Sequence, residues 1–468
     1  MTRITKVLAV PASGALYYED ISALQAHGTA APENSGAGSG IVRATAQAVS
    51  VGLLLDDGRV AWGDCVALAE ADGTYPAHPV GPFRAASGVE TLRRTVAPVL
   101  EGRELTGFRE LVSGVEGLRE TVVARRPVAG VESKTPSDDD VRDPSRRALL
   151  TAAARLLSPY ADGEPERSDL PMEEVEVERP LHPGIRYGVS QALLKGAALV
   201  RGLTMAEVVA EEWGLPKPGG PVPIHAQAVR DPYMDADKMI VHRIAALPGA
   251  RFSAAASPNR EGQPSLARYL KWLTERIAEL GGGDYRPYIH LNAEGALGRL
   301  FENRLGRILG QLYAWEYGTA PYRLQVSDPL VLETREAQIA EMKTLVEYTR
   351  FRKMRVQLVA DHWINNLSDV HAFLAAGAAH IINVNMPALG GLQNSVEAAL
   401  ACRAADVGVV LGGSAAETDL SARVAAHVAL AVHPDFVTAR PGGGMDEGIT
   451  ILQNEMVRTL AWMDARSV

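Results

Sequence analysis

The chain has 468 residues, more than one ordinary compact domain, and is expected to form two domains with a large barrel as one of them. A net charge of -9 excludes wholesale nucleic-acid binding. The two cysteines, Cys65 and Cys402, exclude a disulfide framework and point to the reducing cytoplasm. No apolar run reaches the roughly 18 to 20 residues that span a bilayer, so no membrane partner is expected. Met1 to Val10 has only a short apolar stretch and reads as a first strand, not a signal peptide.

Ile4 to Val10 opens a small α+β region. Ala46 to Leu55 and Val60 to Asp64 flank Asp56-Asp57-Gly58, a strong hairpin turn. Helical patterning follows from Gly88 to Val99. Residues 116–181 then turn polar and acidic and read as a solvated insertion or linker. A helix resumes from Gly184 to Val200.

After Pro221, strand candidates alternate with helices to the end. The strands are Val222 to Ala226, Tyr288 to Leu291, Arg323 to Val326, Val356 to Ala360, His380 to Val384, Val407 to Leu411 and Phe436 to Ala439. Repeated βα units predict a parallel α/β fold, and seven or eight of them fit a closed barrel. The domain plan is an N-terminal domain over 1–115, the insertion over 116–181, a helical connection over 182–220, the barrel over 221–450 and a C-terminal helix over 451–468.

Several barrel strands end in polar residues: His290 with Asn292, Ser327-Asp328, Asp361-His362, Asn383 with Asn385, and Gly412-Gly413-Ser414. Strand C-termini surround the active site of a barrel, so these form a candidate site. If Gln227 and Asn292 face inward, alternation turns His225 and His290 inward too. His225, His290, Asp361 and His362 are then the candidate acid–base groups. Each histidine reads equally as a core residue whose hydrogen bonds are satisfied. His362 should point away from Asp361 unless the strand has already ended.

A collinear set of motifs resembles methylaspartate ammonia-lyase of the enolase superfamily. It runs through Gly63-Asp64-Cys65, Ile185-Arg186-Tyr187-Gly188 with Gln191, Thr204-Met205-Ala206-Glu207, Ala226-Gln227 and Asp237-Lys238-Met239-Ile240. It continues through Leu358-Val359-Ala360-Asp361, Pro387 with Leu389-Gly390-Gly391, Gly412-Gly413 with Glu417-Thr418, and Met445-Asp446-Glu447-Gly448. The resemblance implies a (β/α)8-type barrel with an N-terminal α+β capping domain, a small anionic substrate and a homodimer. It covers nearly the whole chain except the insertion, which is expected to be foreign to the family. In that family, lysine and histidine handle protons and magnesium on three carboxylates stabilises an enolate.

The resemblance also implies departures. The three metal-ligand positions fall on Asn292, Ser327 and Asp361, with Asp328 a doubtful stand-in. The lysine position falls on Asn385, the histidine position on Gly249, a further substrate-binding glutamine on Ala69, and the Thr-Cys pair on Ser414-Ala415. Gln227, Asn292, Ser327, Asn383, Asn385 and Ser414 are the expected substrate-binding set, and Mg2+ is a doubtful cofactor. The leading expectation is a lyase or isomerase that fails at the family's Lys/His/Mg chemistry. One alternative is an inactive homologue that binds a ligand or a partner protein. Another uses Asp139 and Asp143 of Asp139-Asp140-Val141-Arg142-Asp143 to bind a magnesium diphosphate, as prenyl-diphosphate lyases do. Gly442-Gly443-Gly444 offers amides to an anion, or forms a tight turn.

Overall fold

The structure is a computed structural model, and it describes residues 2–19, 43–68, 83–127, 172–226, 232–251, 266–414, 416–439 and 445–466. The N-terminal domain is built on an antiparallel sheet of β1 (Ile4–Glu19), β2 (Arg43–Leu55) and β3 (Val60–Val66), in that order. The turn at Asp56-Asp57-Gly58 joins β2 to β3 as expected, with Gly58 at φ +85. Val49, Val51, Leu53 and Leu55 of β2 are all buried.

The helix Pro183–Arg201 is buried along most of its length, because it packs on β3 and also meets the barrel. At Gly63 an added Cβ would run into the Gly188 carbonyl, and at Gly188 into Cys65. The sheet and the helix therefore touch backbone to backbone, which only glycine permits.

The expected solvated insertion is corrected at both ends. β4 (Arg119–Pro127) pairs antiparallel with β5 (Met172–Pro180). Buried Arg179 donates to Glu120 across this pair at 2.8 Å.

Eight parallel strands close the barrel: β6 (Ile224–His225), β7 (Ala246–Arg251), β8 (Tyr288–Asn292), β9 (Arg323–Ser327), β10 (Gln357–Ala360), β11 (Ile381–Asn385), β12 (Gly408–Gly412) and β13 (Phe436–Thr438). Helices follow the strands around the outside, ending with Met445–Ala465. β7 is absent from the sequence expectation, because Pro248-Gly249 follows a short apolar run and reads as a turn. The main core lies between barrel and helices. A second cluster of Ala246, Val359, Ile381, Val410 and Phe436, with Tyr288 against it, fills the barrel interior; four of these six residues open their strands, so it forms a floor. Among the described residues no helix is long and apolar enough to cross a membrane.

Candidate active site at the mouth of the barrel

Above the apolar floor the barrel lining turns polar. In the ladder His290 stands opposite Gln325, Asn292 opposite Ser327, and Gln357 opposite Gln325. Ser327 and the His290 Nε2 are 2.9 Å apart, and His290 Nδ1 lies 3.4 Å from Gln325 Oε1. Gln325 in turn donates from Nε2 to Gln357 Oε1 at 3.1 Å. That donation turns Gln325 Oε1 toward His290, which fixes the imidazole as a donor at Nδ1 and an acceptor at Nε2. Ser327 therefore donates its hydroxyl proton to His290. Burial holds the His290 imidazole down to about 4, so it is neutral at neutral pH.

His225 packs edge-on against His290, with ring centroids 4.5 Å apart. Both its ring nitrogens are buried without a hydrogen-bond partner, and burial together with His290 holds it well below the usual histidine range. The two histidines thus differ: His290 is satisfied on both nitrogens, and His225 on neither. The amide oxygens of Asn292 and Asn383 are likewise buried without partners. Asn292 donates through Nδ2 to Glu294 at 3.0 Å, which fixes which end of the amide is free.

Three carboxylic acids follow successive strands: Glu294 after β8, Asp328 after β9 and Asp361 after β10. Asp328 is 1% exposed and sits at φ +41. Its two oxygens accept the backbone N–H groups of Asp361 (3.3 Å) and His362 (3.0 Å). Burial and the charge of Asp361 push its carboxyl well above the usual range, with Glu294 adding to the effect. Asp328 thereby braces the next strand end. Among the described residues no three of His, Cys, Asp or Glu come together as a candidate metal cluster.

His362 follows the end of β10 and lies edge-on to Trp363 at 5.7 Å. Burial lowers it to about 4. Asn385 ends β11 and caps the short helix Met386–Leu389, accepting from Ala388 N at 3.4 Å. Ser414 lies where the barrel meets the first domain. Its hydroxyl donates to the Ala67 carbonyl of the first domain at 2.5 Å and accepts from Ala416 N at 3.0 Å, so it joins the two domains. Thr418 extends this clasp, donating to buried Asp64 at 2.5 Å, and Tyr187 donates to buried Glu417 at 2.9 Å. Gln227, Asp139, Asp143, Ala69, Ala415 and Gly442 to Gly444 lie outside the described residues. Sequence reasoning missed Gln325, Gln357 and Glu294. The alternation that turned His290 inward, counted back from Ser327, also finds Gln325.

Comparison with known proteins gives the same fold and a family. The descriptions "Methylaspartate ammonia-lyase N-terminus" and "C-terminus" match residues 2–156 with 166–214, and 218–465. The chain belongs to the methylaspartate ammonia-lyase family. Methylaspartate ammonia-lyase 1 of Carboxydothermus hydrogenoformans is 36% identical, over 100% of this chain and 98% of its own. The Haloarcula marismortui enzyme is 32% identical, over 99% and 98%. The magnesium complex of β-methylaspartase from Clostridium tetanomorphum superposes with a TM-score of 0.77 at 28% identity, covering 99% of this chain and 100% of the other. The muconate lactonizing enzyme of Pseudomonas fluorescens, at 13% identity and TM-score 0.56, shares the fold alone. The methylaspartate ammonia-lyase match also corrects the foreign insertion: within 116–181 only residues 157–165 fall outside it.

Proposed function

We propose that the chain is a lyase or isomerase of this family that acts on a small anionic substrate without the family's lysine and magnesium. One observation carries this reading: none of the eight barrel strands bears a lysine, and Asn292, Ser327 and Asn385 stand at strand ends where the resemblance calls for charged groups. Neutral amides still bind a carboxylate through their N–H groups, and Asn383 and Asn385 supply them. They cannot remove a proton next to a carboxylate, and a dianionic enolate needs positive charge that Asn292, Ser327 and Asn385 do not supply. The substrate class comes from the relatives, one of which is described with (2S,3S)-3-methylaspartic acid bound.

The purified chain is to be given 3-methylaspartate and related dicarboxylates in D2O, with and without magnesium. Ammonia release and deuterium uptake at substrate carbon are followed together. The expected outcome is deuterium uptake or elimination with at least one dicarboxylate, unaffected by magnesium. Magnesium-dependent ammonia release from 3-methylaspartate at a rate typical of an enzyme would sink the proposal. Binding seen in a thermal-shift screen, with no exchange for any compound, would favour the binding homologue. The observation behind that second reading is the low basicity of His225, His290 and His362.

A further inference from the structure

The mouth of the barrel contains one side-chain pair already arranged for proton movement. We infer that Ser327 is a hydroxyl activated by His290, and that it is the group that takes the proton from, or attacks, a small polar ligand held among Asn292, Asn383 and His225. The inference deepens the lyase reading and rests on it for where the ligand binds.

The geometry follows the order nucleophile, base and orienting group. Ser327 Oγ lies 2.9 Å from His290 Nε2, within reach for proton transfer. Gln325 meets the far nitrogen at 3.4 Å and is itself held by Gln357 at 3.1 Å, so the ring cannot present the wrong nitrogen to the hydroxyl. Ser327 is 2% exposed and Gln325 is fully buried, so the pair operates where water does not compete for its hydrogen bonds.

A second, independent observation points to a ligand beside it. His225, 3% exposed, touches the His290 ring and has both nitrogens free of partners. Asn292, opposite Ser327 in the ladder, holds its Oδ1 buried and unmatched, and so does Asn383. Buried polar groups are normally satisfied, so this set calls for a molecule that donates hydrogen bonds to the two amide oxygens and both donates to and accepts from the His225 ring.

In the proton-removal step, Ser327 Oγ accepts a proton from substrate carbon as its own proton passes to His290 Nε2. The electron pair of the broken C–H bond stays with the substrate and forms the new double bond as the leaving group departs. The imidazolium then releases its proton to solvent.

The test needs no knowledge of the substrate. A fluorophosphonate is attacked at phosphorus by an activated serine: the O–P bond forms, the P–F bond breaks, fluoride leaves and the hydroxyl proton goes to the histidine. Incubation of the full chain with such a probe, followed by peptide mass spectrometry, is expected to give an adduct on Ser327 alone. His290→Gln should slow labelling by roughly 100-fold or more. Gln325→Glu should speed it, because a carboxylate at Nδ1 stabilises the imidazolium, an effect that a merely structural network would not show. Melting curves of each variant check folding, and Gln325→Glu stays informative if His290→Gln does not fold. An unmodified Ser327 in the native chain, or an unchanged rate in His290→Gln, would overturn the inference. Labelled Ser327 without exchange on any dicarboxylate would sink the lyase reading and leave this one standing. Exchange with an unmodified Ser327 would do the reverse.

Discussion

The two ends of the barrel interior are built on opposite principles. At the floor, Phe436, Tyr288, Ile381, Val410, Val359 and Ala246 bury apolar surface, and only the Tyr288 hydroxyl, which accepts from Arg323, hydrogen-bonds beyond the strand ladder. Toward the other end of the barrel, His225, His290, Asn292, Ser327 and Asn383 place polar groups in an equally closed space, some without partners. The floor therefore holds the barrel together, and the mouth is kept polar at a cost in stability. Proteins carry such unmatched groups where they bind or react.

Four measurements would break or sharpen this contrast. The largest effect is expected at the floor. Phe436→Ala leaves a cavity under Tyr288 and should cost about 3 to 5 kcal/mol in denaturant unfolding. A much smaller loss would mean that the floor is not a packed core.

Acid should act next, and the buried histidines of the mouth are among the groups that respond. The unfolded chain protonates His290 near 6.5, whereas the folded chain resists until about 4. Stability from this group is then complete above pH 6.5 and lost as pH falls toward 4, by roughly 3 kcal/mol. His225 shifts in the same direction and adds to the slope. Replacing His290 with Gln should reduce the pH dependence of unfolding between those values.

The satisfied rim of the mouth should behave differently from its unmatched centre. Thr418→Val removes a donor from buried Asp64 at the clasp and should cost about 1 to 3 kcal/mol, read as a lower melting temperature. Asn383→Leu removes a buried oxygen that has no partner. It should raise stability by up to about 1 kcal/mol, the smallest effect, while abolishing ligand-induced thermal shifts. A large destabilisation there would mean that Asn383 is structural.

The barrel was legible because period-2 apolar runs alternate with helical stretches, and each run found marks a real strand. β7 was lost because its Pro248-Gly249 carries the local signature of a turn, which the ladder to β6 and β8 overrides. β5 was hidden for another reason. Its glutamates suggest a solvated run, yet Val175 and Val177 alternate with Glu176 and Glu178 as in a strand. Within the site, alternation turned His225 and His290 to the same lining, where the rings meet. It could not foresee that Ser414 would bond the Ala67 carbonyl, because that contact joins residues 347 positions apart. Nor could it tell that the Asp328 carboxylate would turn to the backbone, since a positive φ at a non-glycine residue leaves no mark in sequence.

The glycine contact between β3 and the helix Pro183–Arg201 has a consequence for how such a protein can be altered. Neither partner has room for even a methyl group, so Gly63 and Gly188 must be inherited together. A chimera whose crossover falls between Gly63 and Gly188 should assemble only if both sides of that contact are compatible. Exchange of single loops around the mouth carries no such condition. New specificities in this architecture should therefore be found by grafting loops onto an undivided scaffold, and seldom by recombining its halves.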